Sequence, residues 1–390
     1  MKDLSYYKEN VQSYVKHFFL EKYLERVGYN ILSSADKFVY VDAFSGPWKS
    51  SGEKYEDTSF GIAIDRLRRI RDGIKAKRGK DVEIECIFNE KDTYAFEKLK
   101  EYCQSINDIY LKLENKNFEV LSQELPEKIN RRFSLTFIDP TGWSGFAMEK
   151  IEPVLKLRGE VIINFMFEHI NRFIEHPHQQ IATTFAPLFG SDDWWADVTD
   201  LKNRGWKRED AILEVYKNAL KRWGNFDYVT FTRIKNPTSD RSYFYLFYGT
   251  RHWKGVYEFR NVEQKTVNEQ ENIRDIAKKE KKKKKTGMED MFFGEEDGRT
   301  SYLEAEKRES KERAYSELIS MLKELETMRY SEIVGRLLEI PLLKPRDVTD
   351  MLADLRKQNA IEMPYLPYKR KKPKKFDDQH VTCNPKNMPK

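Results

Sequence analysis

Short apolar runs rich in β-branched and aromatic residues recur along this chain, "KFVYVD" from Lys37, "VEIECIFNE" from Val82, "SLTFIDP" from Ser134 and "EVIINFMF" from Glu160, and the first three reach an acid, Asp42, Glu90 and Asp139. Runs of this length bounded by turn residues read as strands buried on both faces. Between them lie segments whose apolar residues fall at helical spacing. Strands that alternate with helices imply a parallel sheet covered by helices on both sides. No other feature restricts the fold as strongly.

The helices follow from the same periodicity. Tyr7, Val11, Tyr14, Val15, Phe18, Phe19, Tyr23 and Leu24 predict an amphipathic helix from Tyr6 to about Val27, leading into the strand at Phe38. "DTSFGIAIDRLRRIRDG" opens on capping residues and continues with Ile62, Ile64, Leu67 and Ile70, a capped helix. Further along, the pattern predicts a helix around Thr93 to Gln104, a short strand near Phe118 to Leu121, a helix near Leu125 to Arg132, and a helix around Met148 to Leu157. A mixed helical stretch runs from about Ile170 to Trp223. "FDYVTFTRIK" and "RSYFYLFYGTRH" are then joined by the turn-rich "NPTSD" with no helix between, which predicts an antiparallel hairpin. A parallel sheet finished by an antiparallel pair resembles the fold of S-adenosylmethionine-dependent methyltransferases.

Beyond the sheet, "KKEKKKKKTGMEDMFFGEEDG" lacks apolar periodicity and reads as a solvated linker. Three helical patterns, a strand and the basic "YKRKKPKKF" follow, which suggests a winged helix-turn-helix with Asp347 to Gln358 as its recognition helix, or a small helical docking domain. The expected organisation is an N-terminal helical segment over 1–36 and a doubly wound, Rossmann-like α/β domain over 37–265. A charged linker over 266–300, a winged domain over 301–375 and a tail over 376–390 complete it. Charge supports the split. From Lys278 onward 27 Lys and Arg face 21 Asp and Glu, which accounts for the chain's whole net charge of +6. No stretch has signal-peptide character or the length to cross a bilayer, so a cytoplasmic protein without a membrane partner is expected. Cys86, Cys103 and Cys383 are not at metal-ligand spacing, and no metal site is expected.

The residues that carry chemistry gather after the strands. Asp42-Ala43-Phe44-Ser45-Gly46-Pro47 follows the first strand, where a doubly wound sheet receives a nucleotide-like ligand. Small residues admit close backbone approach and the acid accepts hydrogen bonds; the same turn also serves a purely structural purpose. Glu90 ends the second strand, a place from which an acid accepts from ribose hydroxyls or caps the next helix. Asp139-Pro140, with Trp143 close behind, resembles the acidic-Pro-Pro-aromatic tetrapeptide of methyltransferases that act on exocyclic amines of nucleobases, with Thr141-Gly142 replacing the second proline. In that chemistry the acid and a backbone carbonyl orient the amine while the aromatic ring stacks on the flipped base. Asn164, His169, Arg172, Arg251 and His252 are further candidates for the same site, and each residue type is as often structural. His176 and His178 lack a third ligand. Lys369, Arg370, Lys371, Lys372, Lys374 and Lys375 are candidates for contact with nucleic-acid phosphates.

"YVDAFSGPW", "FNEKD", "FIDPTGW", "INFMFEHINRF", "LFGSDDWW" and "YFYLFYGTRHWKG", in this order, resemble the three-Cys-motif partner family, TcmP, over about Tyr14 to Lys265. The resemblance implies a Rossmann-type methyltransferase-like protein with S-adenosylmethionine as cofactor and a three-Cys-motif protein as a partner. The family turn ends Gly-Pro-Gly, where this chain has Trp48 last. Three readings therefore stand. One is a methyltransferase acting on nucleic acid, with Asp42, Phe44, Ser45, Gly46, Pro47 and Glu90 on the cofactor and Asp139, Pro140 and Trp143 on the base. The second is a nuclease gathering divalent cations on Asp42, Glu90 and Asp139. The third is a non-catalytic adaptor that keeps the fold and binds nucleic acid through its winged helix.

Overall fold

The computed structural model describes residues 4–7, 11–46, 55–140, 142, 144–174, 179–286, 299–363 and 379–389. The chain divides into two compact units, Met1–Arg251 with Glu269–Arg274, and His252–Asn268 with Asp275–Lys390.

In the first unit α1 (Val11–Leu32) and β1 (Lys37–Asp42) are followed by α2 (Ser59–Arg78), β2 (Glu83–Asn89), α3 (Thr93–Gln104), β3 (Tyr110–Glu114), α4 (Phe118–Ile129) and β4 (Ser134–Ile138). Next come α5 (Met148–Leu155), β5 (Gly159–Phe165), α6 (Phe167–Ile174), α7 (Gln179–Phe189), α8 (Trp194–Asn203), α9 (Arg208–Gly224), β6 (Tyr228–Lys235) and β7 (Ser242–Thr250). The seven strands form one sheet in the order β3-β2-β1-β4-β5-β7-β6. Pairing is parallel except for β7, which runs antiparallel to both β5 and β6. The order reverses between β1 and β4, so the carboxyl ends of these two strands flank the switch point.

Side-chain alternation decides what each face carries. On β5, Val161, Ile163 and Phe165 join a core with Leu121, Leu125, Val154, Tyr216 and Phe247. Glu160, Ile162 and Asn164 point to the opposite face, where Tyr23 of α1 donates to Glu160 Oε2 at 2.7 Å. Both faces are covered, which is why the strands read as continuous apolar runs. The α2 start is set by Thr58, whose hydroxyl accepts from Gly61 N, and the α3 start by Asp92, which accepts from Ala95 N. Gly159 is required at the β4–β5 contact, because a Cβ there would lie 1.8 Å from the Ser134 carbonyl oxygen.

The strand expected at Phe118 to Leu121 is a helix instead, and the strand lies earlier, at Tyr110–Glu114. Phe118, Leu121, Leu125 and Ile129 are all buried along one helical stripe. The true β3 is an edge strand without a fully buried residue, so its sequence carries little apolar signal.

The stretch read as a linker is also helical through Thr286, within α10 (Trp253–Thr286). Val262, Thr266, Gln270 and Arg274 are buried at every fourth position of α10. Much of that stripe is polar and therefore invisible to apolar periodicity.

The second unit continues with α11 (Arg299–Leu325), β8 (Thr327–Arg329), α12 (Tyr330–Leu337), α13 (Pro345–Lys357), β9 (Ile361–Glu362) and β10 (His380–Cys383). Its three strands pair antiparallel in the order β8-β10-β9. Leu318, Leu322, Ile333, Leu337, Leu352, Leu355 and Val381 are buried within the unit. Arg260 is wholly buried against Glu263 at 2.7 Å, and its Nε donates to the Leu338 carbonyl at the end of α12. The stretch expected as a tail thus supplies β10. Strands of two to four residues are too short for alternation to show in the sequence.

Candidate functional site

The carboxyl ends of β1, β2, β4 and β5 bring Asp42, Asn89, Glu90, Asp139 and Asn164 to one end of the sheet. Asp42 is the last residue of β1 and is fully buried. Its Oδ1 accepts weakly from Phe44 N at 3.3 Å, while its Oδ2 is buried without a well-formed hydrogen bond among the described residues. Burial pushes the carboxyl up to about 7; the Ser59 hydroxyl opposes this, the nearby Asp139 adds to it, and Phe44 N and Ser45 pull it back.

The turn after β1 is closed by its own backbone. Ser45 Oγ donates to the Asp42 carbonyl at 3.1 Å and Ser45 N to the Asn89 carbonyl at 2.7 Å, which ties the turn to the end of β2. Asn89 Nδ2 donates to the Ala43 carbonyl at 3.0 Å, and its Oδ1 is buried without a partner among the described residues. The Phe44 ring packs on Phe118 of α4 at 5.6 Å between centroids, so this side chain belongs to the core on the other face of the sheet. Gly46 is half-buried, and Pro47 with Trp48 lies outside the described residues.

Glu90 is buried directly after β2. Its Oε1 accepts from Asp92 N at 2.8 Å, its backbone N–H donates to the Glu114 carbonyl, and its own carbonyl accepts from Asn115 Nδ2 at 2.7 Å. This acid therefore supports the entry into α3, the structural use that its position allows.

Asp139 is held at both carboxylate oxygens. Asn164 Nδ2 donates to Oδ1 at 2.6 Å, and Lys16 Nζ of α1 pairs with Oδ2 at 2.5 Å. Asn164 is buried and its own Oδ1 has no partner among the described residues. Lys16 Nζ also lies 5.9 Å from the centroid of the Phe244 ring on β7. Pro140 is buried beside Asp139; Thr141 and Trp143 lie outside the described residues.

Among the described residues, Asn89 Oδ1 and Asn164 Oδ1 are thus buried acceptors without a donor, and Asp42 Oδ2 makes no hydrogen bond of normal geometry although the Tyr40, Ser45 and Ser59 hydroxyls lie close enough to act on its carboxylate. Leaving such groups unpaired costs roughly 1–3 kcal/mol each. A ligand that repays this must bring N–H and O–H groups. No group of three or more His, Cys, Asp and Glu suited to a metal ion occurs among the described residues. At Asp139 an ammonium and an amide already occupy the oxygens that a divalent cation would use.

The remaining candidates separate. Arg251 follows β7, and because β7 runs antiparallel, its carboxyl end lies beside the start of β5: Gly249 pairs with Val161. Arg251 donates there to the carbonyls of Leu155, Leu157, Gly224 and Asn225, closing the ends of α5 and α9, away from Asp139. His252 Nδ1 accepts from Lys254 N at the start of α10. The side chains of His169 and Arg172, the His176–His178 pair, and the basic run Lys369 to Lys375 lie outside the described residues. Sequence reasoning missed Lys16 and Asn89. Lys16 had a readable signal, for it shares a helical stripe with Leu20, Tyr23 and Val27, all buried.

A doubly wound sheet in which only the penultimate strand in spatial order is antiparallel defines a methyltransferase-like α/β fold. No family model and no curated protein matches the chain. Among solved structures it is similar to a protein of Legionella pneumophila str. Philadelphia 1 assigned to family-model DUF519, at 10% identity over 60% of this chain and 84% of that one, with a TM-score of 0.35. It is also similar to a loganic acid methyltransferase with SAH, at 12% identity over 73% of this chain and 91% of that one, with a TM-score of 0.30. The fold class rests on the strand order. No helix among the described residues is long and apolar enough to cross a membrane.

Proposed function

We propose that this protein is an S-adenosylmethionine-dependent methyltransferase that acts on an exocyclic amino group of a nucleic-acid base, in keeping with the resemblance to the three-Cys-motif partner family. The observation that carries the reading is the set of buried acceptors Asp42 Oδ2, Asn89 Oδ1 and Asn164 Oδ1, which find no well-formed hydrogen bond among the described residues, beside Asp139 at the switch point. Their chemistry fits the cofactor, whose ammonium, ribose hydroxyls and adenine amine are donors. Asp42, Ser45 and Gly46 would hold it, with Glu90 behind them; the group supplies a methyl already activated on sulfur. The protein's remaining task is positioning. Asp139 Oδ2 takes an N–H of the acceptor amine and is the station for the proton that the nitrogen sheds on methylation. Pro140 borders this subsite, and Trp143 is assigned to the base from its sequence position after Asp139-Pro140.

Unit two is read as a winged helix: its order of helix, strand, two helices and two strands, with the basic run between β9 and β10, supports that reading. The outward residues Arg346, Asp350, Asp354 and Lys357 of α13 carry no net charge and pair among themselves. Phosphate contact is therefore assigned to Lys369, Arg370, Lys371, Lys372, Lys374 and Lys375 rather than to α13. Calorimetric titration with S-adenosylhomocysteine tests the cofactor reading: saturable binding that is lost in Asp42→Ala is expected, and no heat at millimolar ligand refutes it.

A further inference from the structure

Asp139 offers two oxygens, and the structure gives them different work. Oδ1 is fixed by the buried Asn164, which sets the plane of the carboxylate. Oδ2 is the oxygen left for a ligand, and it already carries an N–H donor, the Lys16 ammonium at 2.5 Å. Both side chains keep some contact with solvent, 12% for Lys16 and 15% for Asp139, so the pair can open without unfolding anything around it. The backbone of α1 is anchored on either side of Lys16. Tyr14 donates to Glu269 at 3.0 Å and Tyr23 to Glu160 at 2.7 Å. Only the flexible stem of Lys16 is left to move.

We propose that Lys16 is a placeholder for the acceptor: its ammonium occupies the seat of the acceptor's amino nitrogen on Asp139 Oδ2, and acceptor binding displaces it. The inference rests on the methyltransferase reading for the identity of the acceptor, and it narrows that acceptor to a group with a hydrogen to donate, which on the nucleobase of that reading is the amino group. A carbon acceptor, or a nitrogen without a hydrogen, has nothing to donate to this oxygen and cannot take the place of the ammonium on it. The Phe244 ring, 5.9 Å from Lys16 Nζ, lies beside the same seat. In the free protein the lysine satisfies the carboxylate oxygen that Asn164 does not reach, and it sets a threshold that ligands with no hydrogen to donate there do not cross.

The test compares wild type with Lys16→Met, which keeps the length of the stem, and Lys16→Arg, which keeps the charge. Adenosine 5′-monophosphate and its purine counterpart lacking the amino group are titrated with and without S-adenosylhomocysteine. Lys16→Met is expected to bind adenosine monophosphate about tenfold more tightly than wild type, a charged hydrogen bond no longer having to be broken. The purine counterpart should show no gain, and Lys16→Arg should bind no better than wild type. Unchanged, weaker or undetectable binding of adenosine monophosphate by Lys16→Met overturns the proposal, as does a gain shared by the purine counterpart. The S-adenosylhomocysteine arm is independent. Its failure would remove the cofactor reading, while the nucleotide comparison without it would still decide the role of Lys16.

Discussion

Replacing Glu160 by Gln should raise the stability of the sheet at alkaline pH. Glu160 opens β5 on the face covered by α1, is 8% exposed, and accepts from Tyr23 at 2.7 Å within a cluster that includes Tyr248. Burial raises its carboxyl from 4.5 to about 7, more than the two tyrosine hydroxyls lower it. At about 1.4 kcal/mol for each tenfold change in proton affinity, the native state favours the protonated acid by about 3 kcal/mol. The sign follows from proton counting. Between 4.5 and about 7 the folded chain holds a proton that the unfolded chain has lost, so this contribution is complete below 4.5 and gone once the pH passes 7. Gln keeps an acceptor for Tyr23 but cannot ionise. Asp42 titrates in the same window, yet it is separated from Glu160 by β4, roughly 10 Å across two strand spacings, and largely cancels when variant and wild type are compared. Hydrogen exchange of the β5 amides at pH 5, 6, 7 and 8 reads the local opening free energy. Relative to their difference below pH 4, the variant should gain on wild type by about 1 kcal/mol near pH 5 and by about 3 kcal/mol near pH 8. A difference that stays flat across this range, or a variant weaker at pH 8, would refute the assignment of a buried, proton-holding acid.

Other outcomes follow from particular contacts. Binding of S-adenosylhomocysteine should tighten as pH rises through about 7 and release a proton, because donors on the ligand favour ionised Asp42; calorimetry in buffers of different ionisation heat reads the proton, and Asp42→Asn should abolish its release. Gly159→Ala should destabilise the first unit by about 3 kcal/mol or more, since the added Cβ meets the Ser134 carbonyl; a urea midpoint equal to wild type would contradict the close approach. Changing the six cations from Lys369 to Lys375 to Gln should weaken duplex binding and flatten its dependence on salt, by about 0.9 in log–log slope for each phosphate that is no longer neutralised, as fluorescence anisotropy would show.

The strands of the first unit were legible because both of their faces are buried. "KFVYVD", "VEIECIFNE", "SLTFIDP" and "EVIINFMF" needed no partner to declare themselves, and the hairpin of β6 and β7 was readable from the missing helix. Elements with weak apolar content were misplaced or missed. β3 sits at an edge, the α10 stripe buries Thr266, Gln270 and Arg274, and β8 and β10 gain their meaning only from each other. Arg251 shows a different limit. Its sequence position after the last strand placed it with Asp139, and the antiparallel direction of β7 carries it to the other end of the sheet.

By itself the sequence determined the class of fold and the strand ends at which chemistry should be sought, because periodicity and turn residues are local properties of the chain. Tertiary structure alone decided how those ends are used. It buried Asp42 and raised its proton affinity, turned Glu90 toward the start of α3, and set Lys16 of α1 on Asp139, far away in the chain. Burial, proton affinity and ion pairing depend on which distant segments meet, and no local pattern records that meeting.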